Sequence, residues 1–328
     1  MNSMNDEWRM TNGECRGEIT ASVQDGAALE LKGVVKTYGR NRALDGLDLR
    51  VPRGSIFGLV GRNGAGKTTA MATALGLLHS GGGEINLLGD GPFTPEKHAG
   101  RVALLPQDSR FPPHARVDEL LHFYGRVQGI PADTLGPMIN GLLDWVHLQD
   151  RRHSPVRTLS HGMGRRLAIA QAFLGSPELV LLDEPLNGLD PQEAARIREM
   201  ICLRRGRQAI VVSSHNLSDI QALCDHVAFI DKGRLVRQDT LDKIIHRGQR
   251  ITYRLSGGQP PLPQLAAALP AVTWEICTGG LAATIPEPLT IAGVNATALR
   301  VLLDAGIGVL EVQRGSDLES EFLRLTAE

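Results

Sequence analysis

The hydrophobic positions change their spacing several times along the chain, and each change predicts a different kind of element. From Ala28 onward, short runs that alternate apolar with polar residues are broken by glycine and proline, which predicts an antiparallel β region. An apolar run over 55–60 leads through a glycine-rich loop into a segment with helical spacing. Between about residues 117 and 148, apolar residues recur at helical spacing, which predicts a helical insert.

The second half of the chain carries two further patterns. From Leu159 to Asp231 helical and strand-like segments alternate, which favours a largely parallel sheet with helices on both faces. Past Arg247 the pattern predicts β-α-β-β-α-β followed by a terminal helix. We therefore expect a main α/β domain over 28–247 with its helical insert at about 108–165, and a small α+β domain over 250–328. Residues 1–27 mix both charge signs with polar residues, and we interpret them as a disordered leader.

Composition narrows the classes of partner. Lys and Arg number 35 against 36 Asp and Glu, so the formal net charge of -1 gives no global positive field and we expect no nucleic-acid partner. The apolar runs are far shorter than the roughly 18 residues that a membrane span needs, so we do not expect the chain to cross a membrane by itself. The 4 cysteines are scattered, which indicates neither a zinc site nor a disulfide framework and fits a reducing compartment.

The glycine-rich loop matches a phosphate-binding pattern at every defined position. Residues 61–68 read G-x-x-x-x-G-K-T, between a predicted strand and a predicted helix. The glycines let consecutive backbone N–H groups face one concavity, Lys67 reaches the β and γ phosphates, and the Thr68 hydroxyl is offered to Mg²⁺. The predicted nucleotide-binding residues of this loop are Gly61, Asn63, Gly64, Ala65, Gly66, Lys67, Thr68 and Thr69.

A second acidic element follows the apolar run Leu179–Leu182. Asp183 and Glu184 end this predicted strand, and neighbouring side chains on an extended chain point to opposite faces. The two carboxylates can therefore take separate tasks. Asp183 would hold the Mg²⁺ shell, while Glu184 would orient or deprotonate the attacking water. A strand that simply ends in solvated acids is the structural alternative.

With these motifs in order, the region from Ala28 to Arg247 resembles the ATPase subunit of an ATP-binding-cassette transporter. Residues 159–163 read LSHGM where that family carries its LSGGQ signature. The resemblance implies that Ser160 and the backbone N–H of Gly162 clasp the γ-phosphate of ATP held by a partner subunit. His161 stands in place of a glycine, a change that affects either the tightness of this clasp or the backbone angles of the loop.

An unbroken LSGGQ also occurs at residues 255–259, but we reject it as the signature. It follows Asp183 instead of preceding it. Pro260, Pro261 and Pro263 come next, and we expect them to forbid the helix whose N-terminus would hold a phosphate. Its turn chemistry instead predicts a turn after a strand.

The resemblance assigns four further positions. Gln107 matches the loop glutamine that senses Mg²⁺ and the attacking water, and His215 matches the switch histidine that contacts the γ-phosphate. Asp190 matches the loop that lines the dimer interface, and it also fits a helix N-cap before Pro191. Tyr38 matches the aromatic residue that stacks on adenine, although tyrosine is common in strands. The predicted site thus comprises catalytic Glu184, His215 and Gln107, the Mg²⁺ ligands Thr68, Gln107 and Asp183, and the nucleotide-binding loop with Tyr38, Ser160, Gly162 and Asp190.

The resemblance also implies the fold and the activity. The fold class would be an α/β P-loop NTPase cassette with a mostly parallel sheet, an antiparallel β subdomain and a helical insert, plus a small C-terminal α+β domain. The activity would be ATP hydrolysis with ATP and Mg²⁺ as cofactors, coupled to transport. Each site would need a signature from a second copy or a paralogue.

The partner would be an integral membrane permease, which residues around Phe111 to Val127 would contact. The chain itself would lie at the cytoplasmic face of the cell membrane as a peripheral subunit. Met163 and the closing segment 316–325 are similar to exporters with separate type-2 permeases. Two alternatives stay open: a soluble cassette ATPase acting on ribosomes or nucleic acid, and a regulatory subunit of low activity, suggested by His161.

Overall fold

A computed structural model describes residues 9–11, 14–16, 26–245, 250–277, 279–286, 288–315 and 318–326. The chain divides into two units, Met1–Gln238 and Asp239–Glu328. The described strands are β1 (Arg9–Thr11), β2 (Glu14–Arg16), β3 (Ala27–Tyr38), β4 (Asn41–Pro52), β5 (Ile56–Val60), β6 (Gly82–Leu87), β7 (Val102–Leu105), β8 (Leu179–Asp183), β9 (Ala209–Ser214), β10 (His226–Asp231), β11 (Arg234–Thr240), β12 (Arg250–Leu255), β13 (Thr273–Cys277), β14 (Gly280–Thr284) and β15 (Val309–Arg314).

The helices alternate with these strands over much of the chain. They are α1 (Lys67–Ala74), α2 (Pro95–His98), α3 (Val117–Val127), α4 (Ala132–Trp145), α5 (His161–Ala172), α6 (Pro191–Cys202), α7 (Leu217–Leu223), α8 (Leu241–Ile244), α9 (Leu262–Ala268), α10 (Ile291–Asp304) and α11 (Leu318–Thr326), with short tight turns at Gln149–Arg151 and Val156–Thr158.

A six-stranded sheet forms the centre of the first unit, in the order β11-β10-β5-β9-β8-β7. Its neighbours from β10 to β7 all pair in parallel. Every residue of β5, β8 and β9 is buried, as continuous apolar strands are when both faces of a parallel sheet are covered. Because parallel strands end at one edge, the loops after β5, β7, β8 and β9 gather there.

A three-stranded antiparallel sheet in the order β4-β3-β6 confirms the predicted β region. Its buried residues, such as Leu31 and Leu47, share one hydrophobic cluster with Leu59 and Leu181 of the central sheet and Met71 of α1. The antiparallel sheet is thereby fixed against the loop that joins β5 to α1.

The helical insert contains α3 and α4. Leu121 of α3 and Ile139 and Leu143 of α4 are fully buried. The two helices approach closely at Gly125, where an added Cβ would lie 2.3 Å from Leu135 Cδ1. Glycine at that position therefore allows the contact.

The second unit contains a four-stranded antiparallel sheet in the order β13-β14-β12-β15. Its element order, β12-α9-β13-β14-α10-β15-α11, agrees with the predicted one. Ile251, Tyr253, Leu281 and Leu302 belong to a hydrophobic cluster of its own. This unit therefore has a core made from its own sheet and helices.

The prolines after the second LSGGQ do not act as predicted. Residues 256–258 form bends after β12, as the turn interpretation expects. However, α9 begins at Leu262 with Pro261 as its N-cap, so the expectation that these prolines forbid a helix is wrong. The physical reason is that the first turn has no intrahelical partner for its N–H groups, so proline is tolerated there.

Two sequence expectations concern the N-terminal segment and the cysteines. Residues 1–8, 12–13 and 17–25 of the predicted leader lie outside the described residues, and β1 pairs with β2 in an antiparallel ladder. Cys202 in α6 is disulfide-bonded, so the expectation of no disulfide is wrong there, while Cys224 and Cys277 are free thiols. Scattered spacing in sequence does not reveal which cysteines the fold brings together. Among the described residues, no helix combines the length and the apolar character that a membrane span requires.

Candidate nucleotide-binding site

The loop between β5 and α1 is closely packed against its neighbours. Gly64 and Gly66 have φ values of 82° and 107°, a region that glycine adopts without a side-chain clash. An added Cβ at Gly66 would lie 2.7 Å from the Ala43 carbonyl oxygen, and one at Gly61 would lie 2.5 Å from the Ile230 carbonyl oxygen. The glycines are therefore required both for the backbone angles and for the close packing of the loop.

This loop forms one wall of a cavity of about 680 Å³. The structure brings most of the predicted site residues to this cavity: Tyr38, Asn63, Gly64, Ala65, Gly66, Lys67, Thr68, Thr69, Gln107, Glu184 and His215. It also adds residues that sequence reasoning missed, namely Asn41, Arg42, Ala43, Arg62, Asn187 and Lys232. Arg62 and Lys232 add positive charge beside the predicted phosphate position, which favours an anion.

The Lys67 side chain is buried, and its ammonium group has two polar neighbours. Its Nζ donates to the Gly61 carbonyl oxygen at 2.7 Å and lies 3.5 Å from Glu184 Oε1. The ammonium group is thus held between the loop backbone and the acidic side of the cavity. A phosphate in the loop would find this cation already in place.

Thr68 and Asp183 form the candidate metal position. The Thr68 hydroxyl donates to Asp183 Oδ2 at 2.6 Å, and the Ser213 hydroxyl donates to Asp183 Oδ1. Mg²⁺ prefers oxygen ligands and is usually held by one or two carboxylates together with waters and substrate phosphates. A hydroxyl and a carboxylate side by side at a phosphate-binding loop fit that preference. Gln107 lines the same cavity.

Glu184 takes a backbone conformation that glutamate rarely adopts. It lies just after the end of β8 and has a φ of 47°. Its N–H donates to Ser213 Oγ at 2.9 Å, and its Oε2 accepts from His215 Nδ1 at 2.9 Å. Strained backbone of this kind concentrates at functional sites. The turn directs the buried carboxylate toward Lys67 and His215, where it can accept a proton from a water at the cavity wall.

The predicted signature lies outside the cavity lining formed by the described residues. Ser160 caps α5 by accepting the Met163 N–H at 3.2 Å, and His161 is the first residue of that helix. His161 has a negative φ, so the backbone does not require glycine there. An added Cβ at Gly162 would lie 2.9 Å from Glu193 Cγ, so the chain is close-packed at this position.

Asp190 is also absent from the cavity lining. Its side chain caps α6 by accepting the N–H groups of Gln192 and Glu193, each at 3.0 Å, with Pro191 at the first helical position. The N-cap interpretation is therefore confirmed. Ser160, Gly162 and Asp190 remain predicted site residues outside the cavity lining. Gly61 and Asp183 are also outside it, but they contact the lining residues Lys67 and Thr68.

Arg165 is a buried residue beside the site that sequence reasoning missed. Its guanidinium donates to the carbonyl oxygens of Asp183, Glu184 and Pro185 on one side. On the other side it donates to the carbonyl oxygens of Pro106 and Gln107. The sequence gives only an arginine within a helical pattern, and the contacts arise because α5 lies against the ends of β7 and β8.

Comparison with known sequences gives consistent relatives. A family model described as ABC transporter matches residues 44–187. The chain is 33% identical over 305 residues to the Nod factor export ATP-binding protein I of Ralstonia nicotianae, a match that covers 91% of this chain and 93% of that protein. The protein of the same name from Rhizobium meliloti is 30% identical over 325 residues, covering 98% of this chain and 94% of its own.

Solved structures agree at the level of the fold. A structure described as the ATP binding subunit of an ABC transporter has a TM-score of 0.61 and 28% identity, covering 67% of this chain and 92% of its own. The cbiO1 protein from Clostridium perfringens, described as part of the ABC transporter complex cbiONQ, has a TM-score of 0.61 and 22% identity, covering 75% of this chain and 97% of its own. The predicted cassette fold is confirmed.

Proposed function

Because the chain belongs to the ATPase family of ATP-binding-cassette transporters, we propose that it hydrolyses Mg²⁺-bound ATP in this cavity to energise a separate membrane permease for export. The observation that carries the proposal is one cavity lined by the phosphate loop, Glu184 and His215, in which the lining residue Thr68 donates a hydrogen bond to Asp183 just behind it. Export is supported by the names of the relatives, which are export ATP-binding proteins.

The nucleotide has a defined set of contacts in this proposal. The N–H groups of the loop and Lys67 bind the β and γ phosphates, and Tyr38 at the cavity rim stacks on the base. Thr68, Asp183 and Gln107 would hold Mg²⁺, which would neutralise developing charge on the phosphate oxygens. Ser213 orients Asp183 through its hydrogen bond to Oδ1.

Glu184 then acts on the attacking water. Its carboxylate accepts the proton or orients the water in line with the γ-phosphate. His215 donates to Glu184 Oε2 and, with a side chain that is 47% exposed, can turn toward a γ-phosphate when one is bound. Lys67 Nζ lies 3.5 Å from Glu184 Oε1 and His215 Nδ1 lies 2.9 Å from Glu184 Oε2, so both oxygens of the buried carboxylate have a polar neighbour.

Ser160 is exposed and caps the N-terminus of α5, which leaves that helix end accessible to a second subunit and supports a two-subunit site. In the proposal, Ser160 and the N-terminus of α5 from a second copy or a paralogue close over the γ-phosphate in a head-to-tail pair. ATP then joins the two subunits, and hydrolysis dependent on Glu184 lets them separate.

The permease would contact the helical insert. A groove of about 360 Å³ is lined by Asp118, Glu119, His122, Arg126, Ala132 and Leu135. Beside it, the α3 side chains of Phe123 and Val127 are 54% and 69% exposed. An exposed apolar strip next to a groove with charged walls suits a short amphipathic helix of a membrane partner. In the proposal, the protein acts at the cytoplasmic face of the cell membrane through its permease.

A pull-down tests the proposal. Tagged Glu184→Gln protein should bind ATP and hydrolyse it only very slowly, so it should retain its partner when native membranes are gently solubilised with ATP and Mg²⁺. Lys67→Ala protein, which loses the phosphate-binding cation, serves as the matched control. Mass spectrometry should identify a multi-span permease enriched with Glu184→Gln protein. Recovery of ribosomal or DNA-associated proteins without an integral membrane protein would contradict the proposal.

A further inference from the structure

Arg165 of α5 joins the segment after β7 to the segment after β8, and each of these two segments contributes a residue to the cavity lining, Gln107 and Glu184. Its Nη2 donates to the Glu184 carbonyl oxygen at 2.7 Å and to the Asp183 carbonyl oxygen at 3.0 Å. Its Nε donates to the Pro185 carbonyl oxygen at 3.0 Å. Its Nη1 reaches the Gln107 carbonyl oxygen at 3.1 Å. One side chain from α5 thus connects the segment after β8 with the segment after β7.

Each of these contacts is made to a main-chain carbonyl oxygen, so the role of Arg165 concerns backbone position. The side chain is only 9% exposed. Burial lowers the pKa of its guanidinium, while the nearby Asp183, Asp108 and Glu184 carboxylates oppose that shift. An arginine keeps its charge under such conditions. The planar fork of five N–H donors is what allows one group to satisfy several carbonyl oxygens at once.

The contacts of Arg165 bear most directly on the backbone conformation of Glu184. Its φ of 47° is unfavourable for a residue with a side chain and persists only where the surroundings hold it. Its N–H is held by Ser213 Oγ and its carbonyl oxygen by Arg165 Nη2. The peptide groups before and after Glu184 are therefore both fixed, which sets the direction of the side chain.

We infer that Arg165 is a positioning residue for hydrolysis, which holds the Glu184 backbone in its left-handed conformation and in register with Gln107. The inference rests on the proposed role of Glu184 as the residue that acts on the attacking water. Because Arg165 belongs to the first turns of α5, whose N-cap is Ser160, a shift of α5 on contact with a second subunit would reach Glu184 through this guanidinium.

The neighbouring arginine offers a matched control. Arg166 is also buried, and its Nη1 donates to the carbonyl oxygens of Val146 and His147 at 2.8 and 2.9 Å. Its Nε lies 3.0 Å from Glu193 Oε2. Arg166 therefore holds α5 to the helical insert and to α6, and it does not contact the segments after β7 or β8.

The experiment compares Arg165→Lys with Arg166→Lys in the full chain. Lysine keeps the charge but cannot bridge five carbonyl oxygens as the planar fork does. We expect Arg165→Lys to lower kcat for ATP hydrolysis about 10- to 100-fold and to leave the KM for ATP within about threefold, since only the transition-state geometry is lost. Arg166→Lys should lower the melting temperature about as much as Arg165→Lys does, and it should keep kcat within about threefold of the unsubstituted value.

A double substitution separates positioning from general stability. In single-turnover assays on the Glu184→Gln background, Arg165→Lys should reduce the rate less than about twofold further, because the group that Arg165 positions is already gone. Arg165→Gln, measured below its own melting temperature, provides a second variant if the lysine variant folds poorly. It should show the same loss of kcat.

Three results would overturn the inference: an unchanged kcat in Arg165→Lys, a loss of kcat equal to that of Arg166→Lys, or a full additional loss on the Glu184→Gln background. The failure of the proposed function looks different. In that case Glu184→Gln alone would turn over ATP at the unsubstituted rate. A large loss with Glu184→Gln and none with Arg165→Lys would reject only the role of Arg165.

Discussion

At the scale of single residues, two neighbouring carboxylates make different contacts because the backbone turns between them. Asp183 is the last residue of β8 and accepts from Thr68 and Ser213. Glu184 follows in a left-handed conformation and contacts Lys67 and His215. The sequence predicts separate tasks from the alternation of side chains along a strand. In the structure the separation comes from the left-handed turn at Glu184, which the residue type does not predict.

The residues predicted from the sequence belong to local motifs, whereas those that were missed act through contacts between distant segments. The loop glycines and Lys67 belong to one local strand-loop-helix unit, and Asp183 and Glu184 end one apolar strand, so the residue types within each short segment suffice. Arg165 and Ser213 act through contacts between elements far apart in the chain. No local pattern encodes such contacts, and the backbone geometry of Glu184 depends on both.

Tyr38 offers a test at this scale. It ends β3 at the cavity rim and is 47% exposed, so its replacement should not disturb the core. Stacking of a base on an aromatic side chain contributes about 1–3 kcal/mol by alanine substitution. Tyr38→Ala should therefore raise the Kd for ATP by about 5- to 100-fold, while Tyr38→Phe should stay within about threefold. Calorimetric titration with ATP measures both, and equal affinities for the alanine and phenylalanine variants would contradict the stacking role.

At the scale of elements, the sequence predicts types and order better than boundaries. Glycine is disfavoured inside strands, yet β6 begins at Gly82, within the glycine-rich segment 81–83, and pairs with β3. The prolines at 260–263 are predicted to exclude a helix, whereas α9 starts among them. In both cases the residue type was interpreted without its position in the element, and position decides whether glycine or proline is tolerated.

Adjacent glycines in β6 give a matched pair of substitutions. Gly83 has a φ of 86°, and an added Cβ would lie 2.5 Å from the Gly33 carbonyl oxygen, while Gly82 has open space around it and no positive φ. Gly83→Ala should lower the free energy of unfolding by about 1–3 kcal/mol, since alanine there is strained and meets backbone. Gly82→Ala should change it by less than about 0.5 kcal/mol. Urea unfolding of both variants checks this, and a similar loss for the two would contradict the assignment of strain to Gly83.

At the scale of the whole molecule, the nucleotide cavity and the second hydrophobic core belong to different units. All residues that line the cavity lie within Met1–Gln238, and the cluster around Tyr253 lies within Asp239–Glu328. The change of hydrophobic pattern past Arg247 predicts two domains, and we propose that they are separable in stability. The sequence carries no residue-level sign of what the second unit binds.

Leu281 tests this separation. It is fully buried in the cluster of the second unit, whereas Leu303 in α10 is 61% exposed. Leu281→Ala should destabilise the second unit by about 2–5 kcal/mol through lost burial and a residual cavity. Leu303→Ala should cost less than about 0.5 kcal/mol. Scanning calorimetry should show a lowered transition for Leu281→Ala with the Kd for ATP within about twofold of the original, and a parallel loss of ATP affinity would contradict separable units.

The central claim is that the ATP site formed by the loop of one subunit is completed by Ser160 of a second subunit. The most direct measurement is the sedimentation mass of Glu184→Gln protein with and without ATP and Mg²⁺, with Lys67→Ala in the same background as control. The account predicts a shift from one chain to a pair only when ATP is present and only with Lys67 intact. A mass that stays that of one chain under saturating ATP, or a pair that forms equally with Lys67→Ala, would contradict it.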